Sequence, residues 1–320
     1  MYRKIPIILL LIFLFLWPLF TQNPYFVHVG ITTGIMVMLA VGLNLLFGYT
    51  GQISLAHSSF YAIGAYTASL LEVHTGLSFW LSTPIGIFLA VVVAFLIGIP
   101  TLRLKDHYLA LATLALCLVT SLFLINAKWL TNGSEGVMGL KSPTFFGYPM
   151  KGVSYYYFVT TLAVAIFIMV RNLVHSRVGL ALETIRENEE ASASLGVNVL
   201  YYKVMVFAIA GGLAALAGSL YAHLALFVSP ETFGLMLSVE VLVIVVIGGL
   251  ASMQGAVVGA VFITILPELL YSFEEHRILV YGIILLLMVI FAPKGIVGLW
   301  NSFAKILPWK FDDRTYGETE

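Results

Sequence analysis

Few polar side chains interrupt the apolar stretches of this chain, and those that do are the ones with chemistry to offer: Asn44, Gln52, Ser54, His57, Ser58, Ser59, Glu72, Glu240 and Glu268. A carboxylate at the centre of a bilayer costs on the order of 3 kcal/mol on insertion scales, so one retained there needs a partner or a task. Glu240 stands about two turns into an apolar run and is followed by Val-Leu-Val-Ile-Val-Val-Ile, which makes it the leading candidate for a functional buried carboxylate. A carboxylate bonded to a neighbouring helix or a backbone N–H explains it equally well. Glu72 and Glu268 fall near the ends of runs, where an interfacial position accounts for them. A lone histidine is more often structural than a ligand. Even so, the set Asn44, Gln52, Ser54 and His57 is read as lying near a solute route, with Glu240 near its outer part.

Such groups can bind and hand on a polar solute or a proton; they do not make or break covalent bonds unaided. The chain has no Gly-x-x-x-x-Gly-Lys-[Ser/Thr] phosphate loop, no His-Glu-x-x-His helix and no Gly-x-Ser-x-Gly elbow. Its histidines are scattered. Its single cysteine, Cys117, reads as a small buried hydrophobe, and one cysteine excludes an intramolecular disulfide, a Cys-rich metal site and an iron–sulfur cluster. No cofactor or catalytic residue is expected, and any energy taken from nucleotide must enter through another chain. The formal charge of zero gives no sign of a nucleic-acid partner.

The elements that position these residues are membrane helices. The chain is 60% hydrophobic and 10% charged, where soluble domains carry roughly 25% charged residues. Taking about 20 residues per crossing, the apolar runs are 5–21, 28–47, 54–73, 80–100, 108–126, 155–171, 201–225, 234–250, 255–272 and 277–293. Trp17-Pro18 and the absence of an Ala-x-Ala site argue that the first run is kept rather than cleaved as a signal peptide. Arg3/Lys4, Arg103/Lys105, Arg171/Arg177/Arg186 and Lys294 belong on the cytoplasmic side, and even numbers of spans separate them, so both termini face the cytoplasm. Lys128, Lys141 and Lys151 run against this rule, because loop 127–154 must be external; long structured loops obey it less strictly. Spans two to five start outside and spans seven to ten inside, which describes two inverted four-helix units. The expected fold is an all-α polytopic membrane protein, with a transmembrane domain over 1–300 and a cytoplasmic tail over 301–320.

One long polar segment, Arg171–Lys203, lies between two large apolar runs. Within it Val178, Leu182 and Ile185 fall at helical spacing on one face. Asn188 reads as an N-cap with Glu189 and Glu190 in the first turn, and Gly196 as a left-handed C′ residue. Two short helices joined at Asn188 and standing in water over 172–200 suit the groove of a soluble partner; the plainer reading is a solvated loop with incidental helicity. In the first reading Leu182 and Ile185 supply contact area, while Glu183, Arg186, Glu187 and Glu190 set orientation.

Several segments resemble the branched-chain amino acid ABC importer permeases. They are Gly48-Tyr-Thr-Gly-Gln-Ile-Ser-Leu-Ala-His-Ser-Ser-Phe-Tyr-Ala-Ile-Gly-Ala-Tyr66, Thr131-Asn-Gly-Ser-Glu-Gly-Val-Met-Gly139, and Ser176-Arg-Val-Gly-Leu-Ala-Leu-Glu-Thr-Ile-Arg-Glu-Asn-Glu-Glu-Ala with Ser194-Leu-Gly196, Lys203 and Ala214-Ala-Leu-Ala-Gly218. Pro293-Lys-Gly-Ile-Val-Gly298 also fits. The likeness runs to about Trp300 and is greatest to the second permease of the pair. The chain departs from the family's usual glycine at Ala56 and at Ala251, from its usual proline at Ala256, and from its usual glycine in the turn 103–107. The resemblance implies an alternating-access permease with two cytoplasmic ATPase subunits, a second related permease and an extracytoplasmic substrate-binding protein, all assembled at a cell-membrane bilayer. It makes 172–200 the ATPase-coupling segment, and Asn132, Gly133, Glu135 and Gly136 of the external loop a candidate contact for the binding protein. Urea or a short amide is the alternative cargo. An ion-coupled secondary transporter, with Glu240 or His57 carrying protons, and a scaffold without transport are the rival classes.

Overall fold

The computed structural model describes residues 23–104, 106–145 and 147–269, with Pro18, Val280, Gly282, Ile283, Leu286 and residues 295–298 as further positions. The expected span 5–21, nearly all of the expected span 277–293 and the tail 301–320 lie outside the described residues. Between these limits the chain is a helical bundle. In chain order it comprises α1 (Pro24–Leu43), α2 (His57–Thr75), α3 (Phe79–Thr101) and α4 (Asp106–Asn126). A structured loop follows with α5 (Lys128–Thr131), β1 (Val137–Met138), β2 (Thr144–Phe145) and β3 (Tyr148–Pro149). Then come α6 (Val153–Val174), α7 (Arg177–Glu187), α8 (Glu189–Ser194), α9 (Val199–Ala225), β4 (Phe227–Val228), α10 (Leu235–Gly248) and α11 (Met253–Leu269).

Local chemistry sets these boundaries. Asn23 caps α1 by accepting the Tyr25 N–H at 3.0 Å, with Pro24 supplying a preset φ. The end of α1 widens into a π-helical turn, Asn44–Gly48. There the Asn44 side chain leaves its own helix to bond Ala251 N–H (3.1 Å) and the Ser252 carbonyl (2.9 Å), which joins the end of α1 to the turn after Gly248-Gly249. Gly51, at φ 71°, then turns the chain into a stretch without regular secondary structure over 51–56.

Among the described residues, five helices are long and apolar enough to cross a membrane: the α1 segment Pro24–Gly48, α3, His107–Asn126 of α4, α6 and α9. α2 is long enough but too polar to join them. It is the central helix, packed against α9 and α3, and its serines Ser58, Ser59 and Ser69 are buried. An interior helix never faces lipid, so it can carry polar groups that a peripheral one cannot. Small residues let it sit close: a Cβ on Gly64 would overlap the Ala215 carbonyl, and one on Gly218 would overlap the Tyr61 carbonyl. The peripheral α3 and α4 instead expose Phe88, Leu96, Leu111 and Val119, an apolar coat suited to lipid.

Two expected spans differ from their sequence outline. The run 54–73 becomes helical only at His57, since 51–56 belongs to no helix. The run 234–250 yields a helix, α10, of 14 residues, about 21 Å long at 1.5 Å per residue and too short for a bilayer core of about 30 Å. α2 and α10 both begin well inside the bundle. Gly211 packs against Phe60, near the start of α2. Gly211 lies about 18 Å along α9 from Val199, so α2 starts roughly halfway up the bundle. At the opposite end, the stretch after Ala225 folds back in until the Phe233 ring lies 5.4 Å from Tyr61 and 5.7 Å from Tyr66.

Candidate functional site

The two interior helix starts meet. Ser58 N–H donates to Ser238 Oγ at 3.0 Å, Ser238 Oγ donates to the Leu55 carbonyl at 2.7 Å, and Ser58 Oγ lies 3.1 Å from Cys117 Sγ. Thr113 Oγ1 accepts the Leu55 N–H at 3.1 Å. A buried polar seam therefore links α2, α4 and α10 at the middle of an apolar bundle. Two of the predicted route residues turn out to be structural here. Asn44 is spent on the 251–252 backbone, and Ser54 Oγ accepts the Ala56 N–H at 3.2 Å. Gln52 and His57 differ: each is buried with both side-chain polar atoms lacking a partner among the described residues, and Ser59 Oγ likewise lacks one. Unsatisfied buried polar groups are rare in folded chains, and each requires an explanation such as water, a ligand or a second conformation. Glu240, partly exposed on α10, lies near Tyr61 rather than among these groups. Ser238 and Thr113 were missed in the sequence reading, although a serine inside the 234–250 run carries the same signal as Glu240.

The polar segment between α6 and α9 forms as its caps require. Ser176 accepts the Val178 N–H at 3.2 Å and starts α7. Asn188 Oδ1 accepts the N–H groups of Glu190 and Ala191, both at 3.0 Å, and starts α8. Gly196, at φ 86°, ends α8 through Gly196 N–H to the Ala193 carbonyl (3.0 Å) and Val197 N–H to the Ser192 carbonyl (3.1 Å). The contact face, however, must be reassigned. Leu182 and Ile185 are 0% and 1% exposed, because the apolar stripe of α7 is sunk into the protein's own helices α6 and α9. They cannot supply area to a partner. Leu180 and Leu195, 65% and 80% exposed, can, together with exposed Arg186, Glu187 and Glu190 and half-buried Glu183. Beneath α8, buried Lys203 pairs with Glu189. Beside α7, burial holds the Tyr49 phenol above the ordinary range, with the Glu183 carboxylate pushing the same way.

The loop at the other end is a folded cap. Thr131 Oγ1 donates to the Leu124 carbonyl at 2.6 Å and accepts the Gly133 N–H at 3.2 Å. Asn132, Gly133 and Gly136 all take positive φ. A Cβ on Gly136 would overlap the Val228 carbonyl, next to the pairing of β1 with β4. Gly133 and Gly136 are therefore buried against the inward-folded stretch, and only Asn132 and Glu135 of the four predicted contact residues are exposed. Glu72 is no free interfacial acid. It faces His223 Nε2 at 2.8 Å and accepts the Lys141 N–H at 3.3 Å, so it ties the cap to α2 and α9. Glu268 accepts a hydrogen bond from the Tyr25 hydroxyl. A cavity of about 260 Å³ opens here, bordered by His28, Lys151, Tyr155 and His223; no predicted route residue lines it.

Comparison with known proteins agrees with this architecture. The family described as branched-chain amino acid transport system / permease component matches residues 25–292. The Escherichia coli K12 protein described as high-affinity branched-chain amino acid transport system permease protein LivM is 34% identical over 328 aligned positions, covering 95% of this chain and 77% of its own length. The E. coli K12 permease protein LivH is 27% identical over 229 positions, covering 63% of this chain and 71% of its own. A probable LivM of Methanocaldococcus jannaschii is 22% identical over 225 positions, covering 59% and 64% respectively. No solved structure matches the chain. On the extent of the family match and the similarity to LivM along nearly its whole length, the chain belongs to the family of branched-chain amino acid transport system permease components.

Proposed function

We propose that this permease component is the membrane-spanning subunit of an ATP-binding-cassette importer. It moves branched-chain or related amino acids inward by alternating access, driven by two separate cytoplasmic ATPase subunits. The observation that carries this reading is the capped α7–α8 pair. Its apolar stripe is anchored in the bundle, and its outward face presents Leu180, Leu195 and a charged rim. A tether between two spans needs neither caps nor exposed leucines; a surface that a soluble ATPase must grip and push needs both rigidity and a rim. A second, related permease completes the route, and an extracytoplasmic binding protein delivers cargo to the cap side, where Asn132 and Glu135 are exposed.

The full chain is read as ten spans with both termini in the cytoplasm, and α7–α8 at the cytoplasmic end. Two inverted four-helix units account for the way α2 and α10 begin halfway through the bundle after stretches that enter from opposite ends. Gln52 and His57 are the route residues, because their unpartnered polar atoms can take partners from a passing solute. Reconstitution with the two ATPases, the partner permease and the binding protein tests the reading. Uptake of leucine into proteoliposomes should require ATP and all subunits. Uptake that persists without the ATPases would overturn it in favour of an ion-coupled carrier.

A further inference from the structure

Residues 49–51 are gripped from two sides. On one side, Tyr49 is 4% exposed and stands near the Met253 backbone, at the start of α11. On the other, Gly51 faces Arg186 of α7: a Cβ placed on Gly51 would lie 3.4 Å from Arg186 Cγ. Arg186 is exposed overall, so its side chain offers an apolar stem against Gly51 and a charged tip beyond it. That division of one side chain between an apolar contact and a charged tip is common for arginine. α7 is fixed to its flanking helices α6 and α9, because Leu182 and Ile185 are buried and a Cβ on Gly179 would overlap the Val174 carbonyl. From Gly51 the non-helical stretch 51–56 runs directly to His57. Its backbone is held by Gln52 N–H to the Leu46 carbonyl (3.2 Å) and by the contacts of Leu55 to Thr113 and Ser238, whereas the Gln52 side chain has no partner among the described residues. A shift of the turn would therefore carry Gln52 along without breaking any side-chain hydrogen bond of its own.

We infer that the stem of Arg186, resting on Gly51, is the joint through which movement of α7 reaches the non-helical stretch 51–56 and with it Gln52 and His57. Arg186 is a positioning residue in this scheme: it touches neither solute nor nucleotide. The inference rests on the proposed importer reading, and it assigns separate tasks to the two halves of one side chain. The stem couples α7 to the route, and the guanidinium guides association with the partner.

The test uses the complete reconstituted complex and compares Arg186→Ala with Arg186→Met, which keeps most of the stem and removes the charge. The measured quantities are leucine taken up per ATP hydrolysed and the amount of ATPase that co-purifies with the permease. Arg186→Ala should lower uptake per ATP about threefold or more, and Arg186→Met should restore the ratio even if less ATPase co-purifies. If Met is as defective as Ala, the charge and not the stem matters, and the joint is refuted; an unchanged ratio in Arg186→Ala refutes it equally. Failure of the importer reading is distinct, because the unaltered permease would then retain no ATPase and show no ATP-dependent uptake at all.

Discussion

At the scale of single residues, Gln52, His57 and Ser59 carry buried polar atoms without a partner among the described residues, as do Tyr66, Thr83 and Ser121, and the proposed route rests on the first two. A buried polar atom without a partner costs about 1–3 kcal/mol, so a residue kept in that condition is not there for stability. His57→Leu should therefore raise the melting temperature of the purified permease in detergent, or leave it unchanged, while lowering uptake in the reconstituted complex. A fall in melting temperature with full uptake would make His57 a structural residue. Asn44 should behave in the opposite way. Asn44→Leu strips partners from Ala251 N–H and the Ser252 carbonyl and should destabilise by roughly 2 kcal/mol. Ala251, one of the departures from the family pattern, sits at φ 58°, a left-handed conformation that a Cβ penalises by about 1 kcal/mol or more. Ala251→Gly should raise thermal stability measurably, with no change in uptake.

At the scale of elements, α7 and α8 separate folding from docking within a few residues. Ile185→Asp buries an uncompensated charge, worth roughly 3–5 kcal/mol of destabilisation, and should reduce the folded permease recovered. Leu195→Asp alters an exposed position, and the permease should fold normally but bind less ATPase in co-purification; normal binding would show that the rim leucines lie outside the interface. Gly196→Val is intermediate. Nothing lies within 4 Å of a Cβ built on Gly196, so the penalty is only that of the left-handed backbone, about 1–2 kcal/mol, and Gly196→Asn should recover part of it.

At the scale of the whole molecule, the cap and the bundle act as one body through Glu72, which serves His223 of α9 and the Lys141 backbone of the loop. Glu72→Leu should leave the spans intact and speed amide hydrogen exchange around 139–145; protection equal to that of the unaltered chain would mean the β1–β4 pairing alone holds the cap. The transmembrane orientation is open to cysteine labelling in a Cys117→Ala background. Ser134 and Ser194 are both exposed; an impermeant reagent applied outside should reach the first and not the second, and equal labelling would break the topology.

The sequence by itself determined the helical membrane class, eight of the runs that become helices, and the caps at Asn188 and Gly196. Each follows from local chemistry: apolar length, a side chain that accepts neighbouring N–H groups, and a glycine where φ must be positive. It also marked Gln52 and His57, because polarity inside an apolar run is visible without a fold. Only the tertiary structure decided which of the marked polar groups are satisfied, since the partners of Asn44 lie more than 200 residues away along the chain. It decided as well that the apolar stripe of α7 faces inward. Helical periodicity gives the same stripe whether it meets the protein's own spans or a foreign groove, and only the packing of α6 and α9 distinguishes the two. The interior start of α2 was hidden for a related reason: the non-helical residues before His57 keep the composition of the helix they lead into, so hydropathy reads 54–56 and the helix as one span.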